Sequence, residues 1–512
     1  MSFLCNNVAA FAVAMVASVL VWLFGGTRGD LLTPVAPWLI VFLVEVIFCF
    51  PQRHRYESIY DARERVWKTL KRDPAVWVSL GLLALLLVPF LNNGLCPLCD
   101  DKAIGQGLDP EPPVPIIPFC VNRLDHLNVV FWFALALPAM VAVRDGLTRR
   151  GKRLVLELIV WNGVAVAALG FVQGAMDAPG PFWSSLPNGR QASDFFATFG
   201  YPNMGGDYFT TLFGIAVALW RDRVAQARRE KEAEEAKGDQ TNRQRMFWHL
   251  HYFLIPAALF FFAALNTLSR AAIILVTSTA VVYFIHTLVS FVHGMRRARR
   301  VMIGVWSVLA FSVVVFFAMM FMPEKLQREV DTIGPTAVLD RVTGRGYYHN
   351  RVATEVWRDN KLFGCGGWGY IHLCIPKMTK EELKQIQMVG GINVHNDYLQ
   401  FLAEHGLVGF GAMVAIVVIL LWPVCGQWRW LVRDLRFKKG KDLPPKPIQI
   451  FALPAPVFII LVTAIATLIH AFGDCPLRSP AVLTLFFVSL AALPGFMPSL
   501  DETRRHHHHS HH

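Results

Sequence analysis

Segment 395–409 combines an imidazole, an amide and a carboxylate at the point where a polar loop enters an apolar helix. An imidazole titrates near neutral pH, so His395 could remove a proton from a hydroxyl group. Asn396 and Glu404 can reach one face of the predicted helix through Gln400, at i, i+4 spacing. The structural alternative is that His395 or Asn396 caps the helix and that Glu404 binds a neighbouring helix.

Two arginines are placed where they could bind an anion. Arg270 lies in the very tight turn 266–272 between two apolar segments, and Arg351 lies on a helix-like segment that also carries Trp357. Guanidinium groups can bind a diphosphate bidentately. The alternatives are a snorkelling side chain for Arg270 and, for Arg351, a surface helix joined to a glycine-rich turn.

A fourth polar motif is the Gly-Tyr-Pro-Asn turn at 200–203, which leads into the sixth apolar segment. Tyr201 and Asn203 could contact a substrate there, although Asn203 as a plain N-cap is the simpler interpretation. We find no cluster of carboxylates suited to Mg²⁺. Since arginine can neutralise a leaving pyrophosphate, the sequence predicts chemistry without a metal or a cofactor.

Apolar helices must position these residues. The chain of 512 residues is 54% hydrophobic and only 17% charged, whereas soluble domains are about 25% charged. Its apolar runs of about 17–25 residues are each long enough to cross a hydrocarbon layer of about 30 Å. We therefore expect an all-α polytopic membrane protein rather than a soluble enzyme, a disordered chain or a nucleic-acid binder. The predicted spans are 6–24, 35–51, 75–91, 126–143, 154–173, 203–220, 248–265, 271–291, 301–322, 398–425, 451–470 and 480–497.

The distribution of Lys and Arg predicts the orientation of these twelve helices. With the N-terminus inside, most of the 49 basic residues fall in inner segments, as the positive-inside rule requires. The net charge of +12 then reflects orientation and contact with anionic lipids, not nucleic acid. Both termini are expected in the cytoplasm, with the first helix retained as an anchor.

Four regions follow from this topology. Helices one to nine occupy 1–322, a large periplasmic loop occupies 323–397, and helices ten to twelve occupy 398–497. The remaining segment, 498–512, is a cytoplasmic tail whose histidine run is left out of any metal-site argument.

Six of the nine cysteines fall on the predicted outer side, and an even number there suits an oxidising compartment. They are Cys96, Cys99, Cys120, Cys365, Cys374 and Cys475. A disulfide between Cys365 and Cys374 would close a tight loop, while the pairing of the other four stays open. A zinc site at Cys96 and Cys99 is the alternative, although no second pair has a matching spacing.

Taken together, the motifs resemble the O-antigen ligase and O-antigen polymerase superfamily of membrane glycosyltransferases, which is GT-C-like. The resemblance is clearest in the pattern His-Asn-x-x-Leu-x4-Glu-x-Gly-x-x-Gly. The Ser-Arg turn at 269–270, the Arg-x5-Trp segment with its following Gly-x-Gly, and the turn at 200–203 support it. It extends from about 195 to 415. The pattern is met by His395, Asn396, Leu399, Glu404, Gly406 and Gly409.

The resemblance implies a metal-independent, inverting transfer of a glycan from undecaprenyl pyrophosphate to an acceptor hydroxyl at the periplasmic face of the bacterial inner membrane. By that likeness His395 activates the hydroxyl, while Arg270 and Arg351 hold the pyrophosphate. The residues predicted to bind substrate are Tyr201, Asn203, Trp357, Asn396 and Glu404. Lipid A–core is the first expected acceptor, a growing polysaccharide the second and a protein hydroxyl the third. Segment 470–478 lies outside the family pattern and leaves the acceptor open.

A transporter or flippase of lipid-linked sugars is the alternative from a different functional class. It predicts repeated halves and a polar site near the middle of the membrane. In this sequence the halves differ, and the polar motifs gather on the outer side. An enzyme is therefore the favoured interpretation.

Overall fold

Helices make up nearly all the regular structure of the residues that the computed structural model describes. These are residues 6–54, 56–92, 114, 116–184, 195–235, 251–292, 299, 301–304, 306, 324–332, 345–389, 393–437 and 453–497. The helices are α1 (Val8–Trp22), α2 (Gly29–Cys49), α3 (Ile59–Arg72), α4 (Pro74–Leu87), α5 (Arg123–Val141), α6 (Arg149–Ala175), α7 (Pro202–Glu235), α8 (Leu254–Asn266), α9 (Arg270–Val292), α10 (Glu324–Asp331), α11 (Arg345–Asp359), α12 (Gly369–Leu373), α13 (Lys380–Val389), α14 (Asp397–Phe437), α15 (Ala455–Gly473) and α16 (Pro480–Ala492).

The prediction of an all-helical membrane protein is confirmed, but the count of twelve spans is not. Each predicted segment coincides with a helix, apart from 301–322, which lies largely outside the described residues. Within the part of the chain that the structure describes, six helices are long and apolar enough to cross a membrane. Helix α3 with the segment Pro74–Phe90 forms a further candidate, bent by 67°. Three more apolar helices are shorter: Val8–Trp22, Leu254–Asn266 and Pro480–Phe496. The chain is a multi-pass membrane protein.

The last helix, α16, lies at the centre of the bundle. All its residues are buried, as expected for a helix that is apolar on every side. It packs chiefly on α5, while α7 packs on α8 and α15. Gly206 allows α7 to approach the start of α9 closely, because a Cβ there would lie 2.4 Å from that of Ala272. This contact brings the turn at 200–203 beside the turn at 269–270.

Helix α14 is interrupted at Gly406, one of the glycines of the sequence pattern. Gly406 has a φ of 62°, and a Cβ there would lie 2.2 Å from the carbonyl oxygen of Leu362. The segment 361–366 crosses the break. Before the break, the carbonyls of Ala403 and Glu404 accept from the N–H groups of Cys365 and Gly366, at 3.1 and 2.8 Å. After the break, the N–H groups of Leu407 and Val408 donate to the carbonyls of Lys361 and Leu362, at 2.9 and 3.0 Å. Glycine is required here because two backbones meet.

The disulfide predicted between Cys365 and Cys374 is absent from the described residues. Both cysteines are buried thiols that no disulfide bridges. The short helix α12 separates them, and the Cys374 Sγ faces the carbonyl oxygen of Ile371 at 3.3 Å. Cys120 and Cys475 are buried and likewise form no disulfide, whereas Cys96 and Cys99 lie outside the described residues.

Candidate active site

His395 lies in the loop that precedes α14 and faces a buried carboxylate that directly follows α15. Its Nδ1 is 3.2 Å from Oδ1 of Asp474, whose side chain is 1% exposed while that of His395 is 41% exposed. With the proton on Nδ1, the ring donates to Asp474 and Nε2 becomes its acceptor. A half-exposed imidazole oriented by a buried carboxylate is the arrangement that general-base catalysis uses.

Asp474 links His395 to the turn at 200–203. Its carboxylate accepts hydrogen bonds from the Tyr201 hydroxyl at 2.9 Å, from the side-chain amide of Asn203 and from the backbone N–H of Cys475 at 2.8 Å. Asn203 in turn accepts from the hydroxyl of Ser269, the neighbour of Arg270. Three of the four motifs identified in the sequence therefore meet in one hydrogen-bonded network.

The charge state of this network is set by its hydrogen bonds. Burial alone would raise the pKa of Asp474, but the hydrogen bond and charge of His395, the charge of His470 and the Cys475 N–H together hold it well below its usual range. Burial, reinforced by the charge of Asp474, raises the pKa of Tyr201 well above its ordinary value. Asp474 is therefore ionised and Tyr201 protonated.

A second buried His–Asp pair lies beneath the first. Nδ1 of His470 is 3.1 Å from Oδ1 of Asp207, and the Thr467 hydroxyl donates to the other Asp207 oxygen at 3.0 Å. Both side chains of the pair are 1% exposed. The backbone of Asp474 donates to the carbonyl of His470 at 2.9 Å. This pair supports the turn that carries Asp474 but does not reach solvent.

Arg270 stands at the edge of the network. Its Nε is 2.9 Å from Oε2 of Glu329 on α10, and the two side chains are 44% and 32% exposed. Such half-exposed ion pairs contribute only about 0–1 kcal/mol to the stability of the fold. The Arg270 guanidinium can therefore exchange Glu329 for another anion at little cost.

Arg351 points away from this network. Its Nη2 donates to both oxygens of Glu382, at 2.8 and 3.0 Å, and its Nη1 donates to Glu355 at 2.7 Å. His349 lies two residues earlier on α11, and its ring centroid is 6.0 Å from that of His395. Residues two apart on a helix face nearly opposite directions. The structure thus brings His349, but not the Arg351 guanidinium, beside His395.

Glu404 forms a buried ion pair within the scaffold. Both its oxygens lie 2.8 Å from Nη2 of Arg478, with exposures of 1% and 7%, and Gln400 donates to it at 3.2 Å. The Arg478 guanidinium lies 4.1 Å from the ring centre of Trp368. The predicted contact of Glu404 with substrate stays a prediction, and the observed partner is a neighbouring segment of the chain.

Asn396 and Trp357 also make contacts within the protein. The side chain of Asn396 accepts from the backbone N–H of Leu399 at 3.1 Å, which is an N-cap of α14. Trp357 donates from Nε1 to the carbonyl of Lys361 at 3.3 Å and packs on the small core of α11 and α12. Their predicted roles in substrate binding stay predictions.

Asp474 and the nearby His349 were not predicted as site residues. A signal for Asp474 was present, because a carboxylate directly after an apolar helix needs a stated partner. The 470–478 segment was set aside because it lies outside the family pattern. His349 could have been found from its position two residues before Arg351, on the opposite face of the same helix.

His395, Asp474 and Cys475 are also a candidate metal-ligand group, since their ligand atoms lie within 4.8 Å of one another. Imidazole, carboxylate and thiolate are zinc ligands. In this structure the three groups are joined by hydrogen bonds, and the Cys475 thiol donates to Oδ1 of Asp474 at 3.4 Å. Burial, reinforced by the charge of Asp474, raises the pKa of this thiol well above its ordinary value.

Comparison with known families gives a match over part of the chain. Residues 255–414 match the family model described as O-antigen ligase. This range contains Arg270, Arg351, His395 and Glu404, whereas Asp474 lies outside it. No curated protein matches the chain. The resemblance predicted from the motifs is confirmed, and it indicates a glycosyltransferase of the O-antigen ligase or polymerase type.

Proposed function

We propose that this protein transfers a glycan from undecaprenyl pyrophosphate to a hydroxyl group of lipid A–core. The reaction takes place at the periplasmic face of the bacterial inner membrane, with both termini in the cytoplasm. The observation that supports it most is the pair formed by His395 and the buried carboxylate of Asp474, next to the turn that carries Arg270. Polymerisation of the polysaccharide and transfer to a protein hydroxyl are the alternatives that use the same chemistry.

His395 acts as the general base of this reaction. Its Nε2 takes the proton of the acceptor hydroxyl while that oxygen attacks the anomeric carbon, and the bond from this carbon to the pyrophosphate oxygen breaks on the opposite face. The anomeric centre is therefore inverted. Asp474 is a positioning residue that holds the imidazole through Nδ1 and stabilises the imidazolium ion as it forms.

Arg270 binds the pyrophosphate as it departs. Arg351, whose guanidinium is held away from His395 by Glu355 and Glu382, joins it only after leaving these carboxylates. Each guanidinium has a carboxylate partner, Glu329 for Arg270 and the pair of Glu355 and Glu382 for Arg351. Binding of the donor exchanges these carboxylates for phosphate oxygens, which are equally suited to a guanidinium fork. Arg270 exchanges more easily, because its single partner is partly exposed. Neutralisation by arginine makes a metal unnecessary.

The test is reconstitution of the purified protein with a lipid-linked glycan and, separately, lipid A–core, a second carrier-linked glycan and a protein acceptor. His395→Ala is expected to lower transfer by about 10²–10⁴-fold. His372→Ala is the matched control, since His372 pairs with Asp125 at 3.0 Å elsewhere on the surface. Wild-type transfer is expected to survive EDTA.

Three results would contradict the proposal. Normal turnover by His395→Ala would remove the general base. Loss of transfer in EDTA, restored by Mg²⁺, would overturn the metal-free mechanism. Movement of the lipid-linked glycan across vesicles without any transfer would favour the flippase.

A further inference from the structure

A large polar cavity lies between the start of α1, the connection from α2 to α3 and the start of α6. Its volume is about 910 Å³. It is lined by Asn6, Asn7, Gln52, Arg53, His54, Tyr56, Glu57, Thr148, Arg149 and Arg150. None of these residues belongs to the candidate active site.

The cavity lies at the opposite end of the bundle from His395. Helix α1 begins beside it at Val8 and ends at Trp22. Directly beyond Trp22, the carbonyl of Gly25 accepts a hydrogen bond from the Ser479 hydroxyl at 2.8 Å, in the turn that follows Asp474. A helix of this length separates the two sites by roughly 20 Å.

The floor of the cavity is polar and firmly held. Oε1 of Gln52 accepts from the backbone N–H and the hydroxyl of Thr148, each at 2.8 Å, and its Nε2 donates to Asn7 at 2.6 Å. Gln52 and Asn7 are 2% and 3% exposed. Gly151 allows this contact, because a Cβ there would lie 1.9 Å from Oε1 of Gln52.

The rim of the cavity is cationic. Arg53, Arg149 and Arg150 line it, and the acidic residue that lines it, Glu57, is already bound by Arg65 at 2.8 and 3.1 Å. Three arginines and one carboxylate thus lie above a floor of side-chain amides. Arginine forks match the oxygens of a phosphate ester.

Exposed aromatic side chains at the same end mark a membrane interface. Phe50, Tyr56, Tyr60 and Trp67 are 52%, 91%, 75% and 47% exposed. Aromatic rings are enriched at the level of lipid head groups. Basic pockets between transmembrane helices bind anionic head groups at that level. The cavity volume of about 910 Å³ is also many times that of a water molecule, about 30 Å³. It therefore has room for more than one phosphate ion, as a lipid head group requires.

We propose that this cavity binds the phosphate of an anionic phospholipid head group, with Arg53, Arg149 and Arg150 as its cationic ligands. The head group would tie together the ends of α1, α2 and α6. The proposed lipid site does not depend on the proposed transferase reaction or on which of the three acceptors that reaction uses.

The test is thermal unfolding of the purified full chain in detergent, titrated with dioctanoyl phosphatidylglycerol, dioctanoyl phosphatidylcholine or inorganic phosphate. A ligand that binds only the folded protein stabilises it by RT ln(1 + L/Kd), where L is the free ligand concentration, so the unfolding temperature rises once L passes Kd. Each basic residue near a head group contributes about a factor of five in affinity. We therefore expect wild-type protein to respond to phosphatidylglycerol at concentrations at least about tenfold lower than to phosphatidylcholine.

Two triple variants with equal loss of charge separate the cavity from general surface charge. Arg53→Gln with Arg149→Gln and Arg150→Gln is expected to lose the preference for phosphatidylglycerol. The control replaces Lys68, Lys71 and Arg72 of α3 with Gln, at positions on the neighbouring helix that do not line the cavity, and is expected to keep it.

Several outcomes would overturn the proposal. One is an equal response of both triple variants, and another is an equal response of wild-type protein to the two lipids. A shift that inorganic phosphate reproduces at the same concentration would show a free-phosphate site and refute the lipid assignment. If the cavity variant fails to fold, the single variants Arg149→Gln and Arg150→Gln carry the test, each with an expected loss of about fivefold.

Discussion

Replacing Asp474 with Asn tests the part of the site that lies outside the matched family range. The substitution keeps the size of the side chain but removes its negative charge. In the native protein the carboxylate accepts from His395, Tyr201, Asn203 and the Cys475 N–H. The amide of Asn has one acceptor oxygen, so its NH₂ group must face groups that are themselves donors. The variant therefore loses the charge that orients His395 and leaves donors unmatched.

The magnitude follows from the bond between His395 and Asp474. A hydrogen bond to a charged group contributes about 1.5–3 kcal/mol. This bond is strongest when the imidazole is protonated, so its loss raises the barrier more than it weakens substrate binding. At about 1.4 kcal/mol per decade, the transfer rate should fall on the order of 10- to 100-fold, with little change in the donor KM.

The assay is single-turnover transfer by the purified protein, with Asp397→Asn as the control. Asp397 is also buried and accepts a hydrogen bond from the Leu477 N–H at 2.9 Å, which an Asn oxygen can still accept. His395→Ala should leave a residual rate that further substitution of Asp474 does not lower, because the two residues act as one unit. Additive losses in the double variant, or a full rate for Asp474→Asn, would refute this reasoning.

Two further predictions concern the scaffold of the site. Glu382→Gln should lower the free energy of unfolding by about 1–2 kcal/mol at pH 7. The loss should vanish in acid. Burial alone would raise the pKa of Glu382, but the Thr379 N–H and Arg351 bonds lower it. Wild type therefore loses this stability as the pH falls from the ordinary pKa of glutamate through the depressed one. Calorimetry of wild type and variant as a function of pH measures the difference in the free energy of unfolding. A difference that persists in acid would contradict the role assigned to the Glu382 carboxylate. Gly406→Ala should lower the free energy of unfolding by at least about 3 kcal/mol because of its Cβ clash. The control Gly411→Ala has open space around its Cβ and should be neutral or stabilising. Equal melting temperatures of the two variants would argue against the crossing of segment 361–366 over the break in α14.

The helices were predictable because burial in lipid leaves a simple signal. A run of about twenty apolar residues can satisfy its backbone in a membrane only as a helix or a closed barrel, and the lengths of these runs favour helices. The boundaries of α5 and α9, Arg123–Val141 and Arg270–Val292, lie within a few residues of the predicted spans. The local motifs were equally readable, since His395 and Asn203 stand at turns that enter helices.

The contacts between distant segments were not predictable from spacing. Nothing local to Asp474 indicates that it meets a histidine 79 positions earlier. Gly406 was recognisable as part of the sequence pattern. The reason that this position must be glycine is a tertiary contact, the crossing of segment 361–366. The disulfide prediction was wrong for the same reason: the spacing of Cys365 and Cys374 allows a bridge, and the intervening helix α12 directs the two thiols to different partners.

Exposure, rather than residue type, distinguishes the pair of His395 and Asp474 from the other buried carboxylate pairs at this end of the bundle. Three carboxylates here, each about 1% exposed, have a cationic or basic partner. The partners of Asp207 and Glu404 are themselves buried, at 1% and 7%, so these pairs can stabilise the fold but cannot exchange a proton with a substrate. The partner of Asp474 is 41% exposed. Proton transfer to a hydroxyl needs a ring atom that the substrate can reach, and this exposure supports the proposal that His395 is the base.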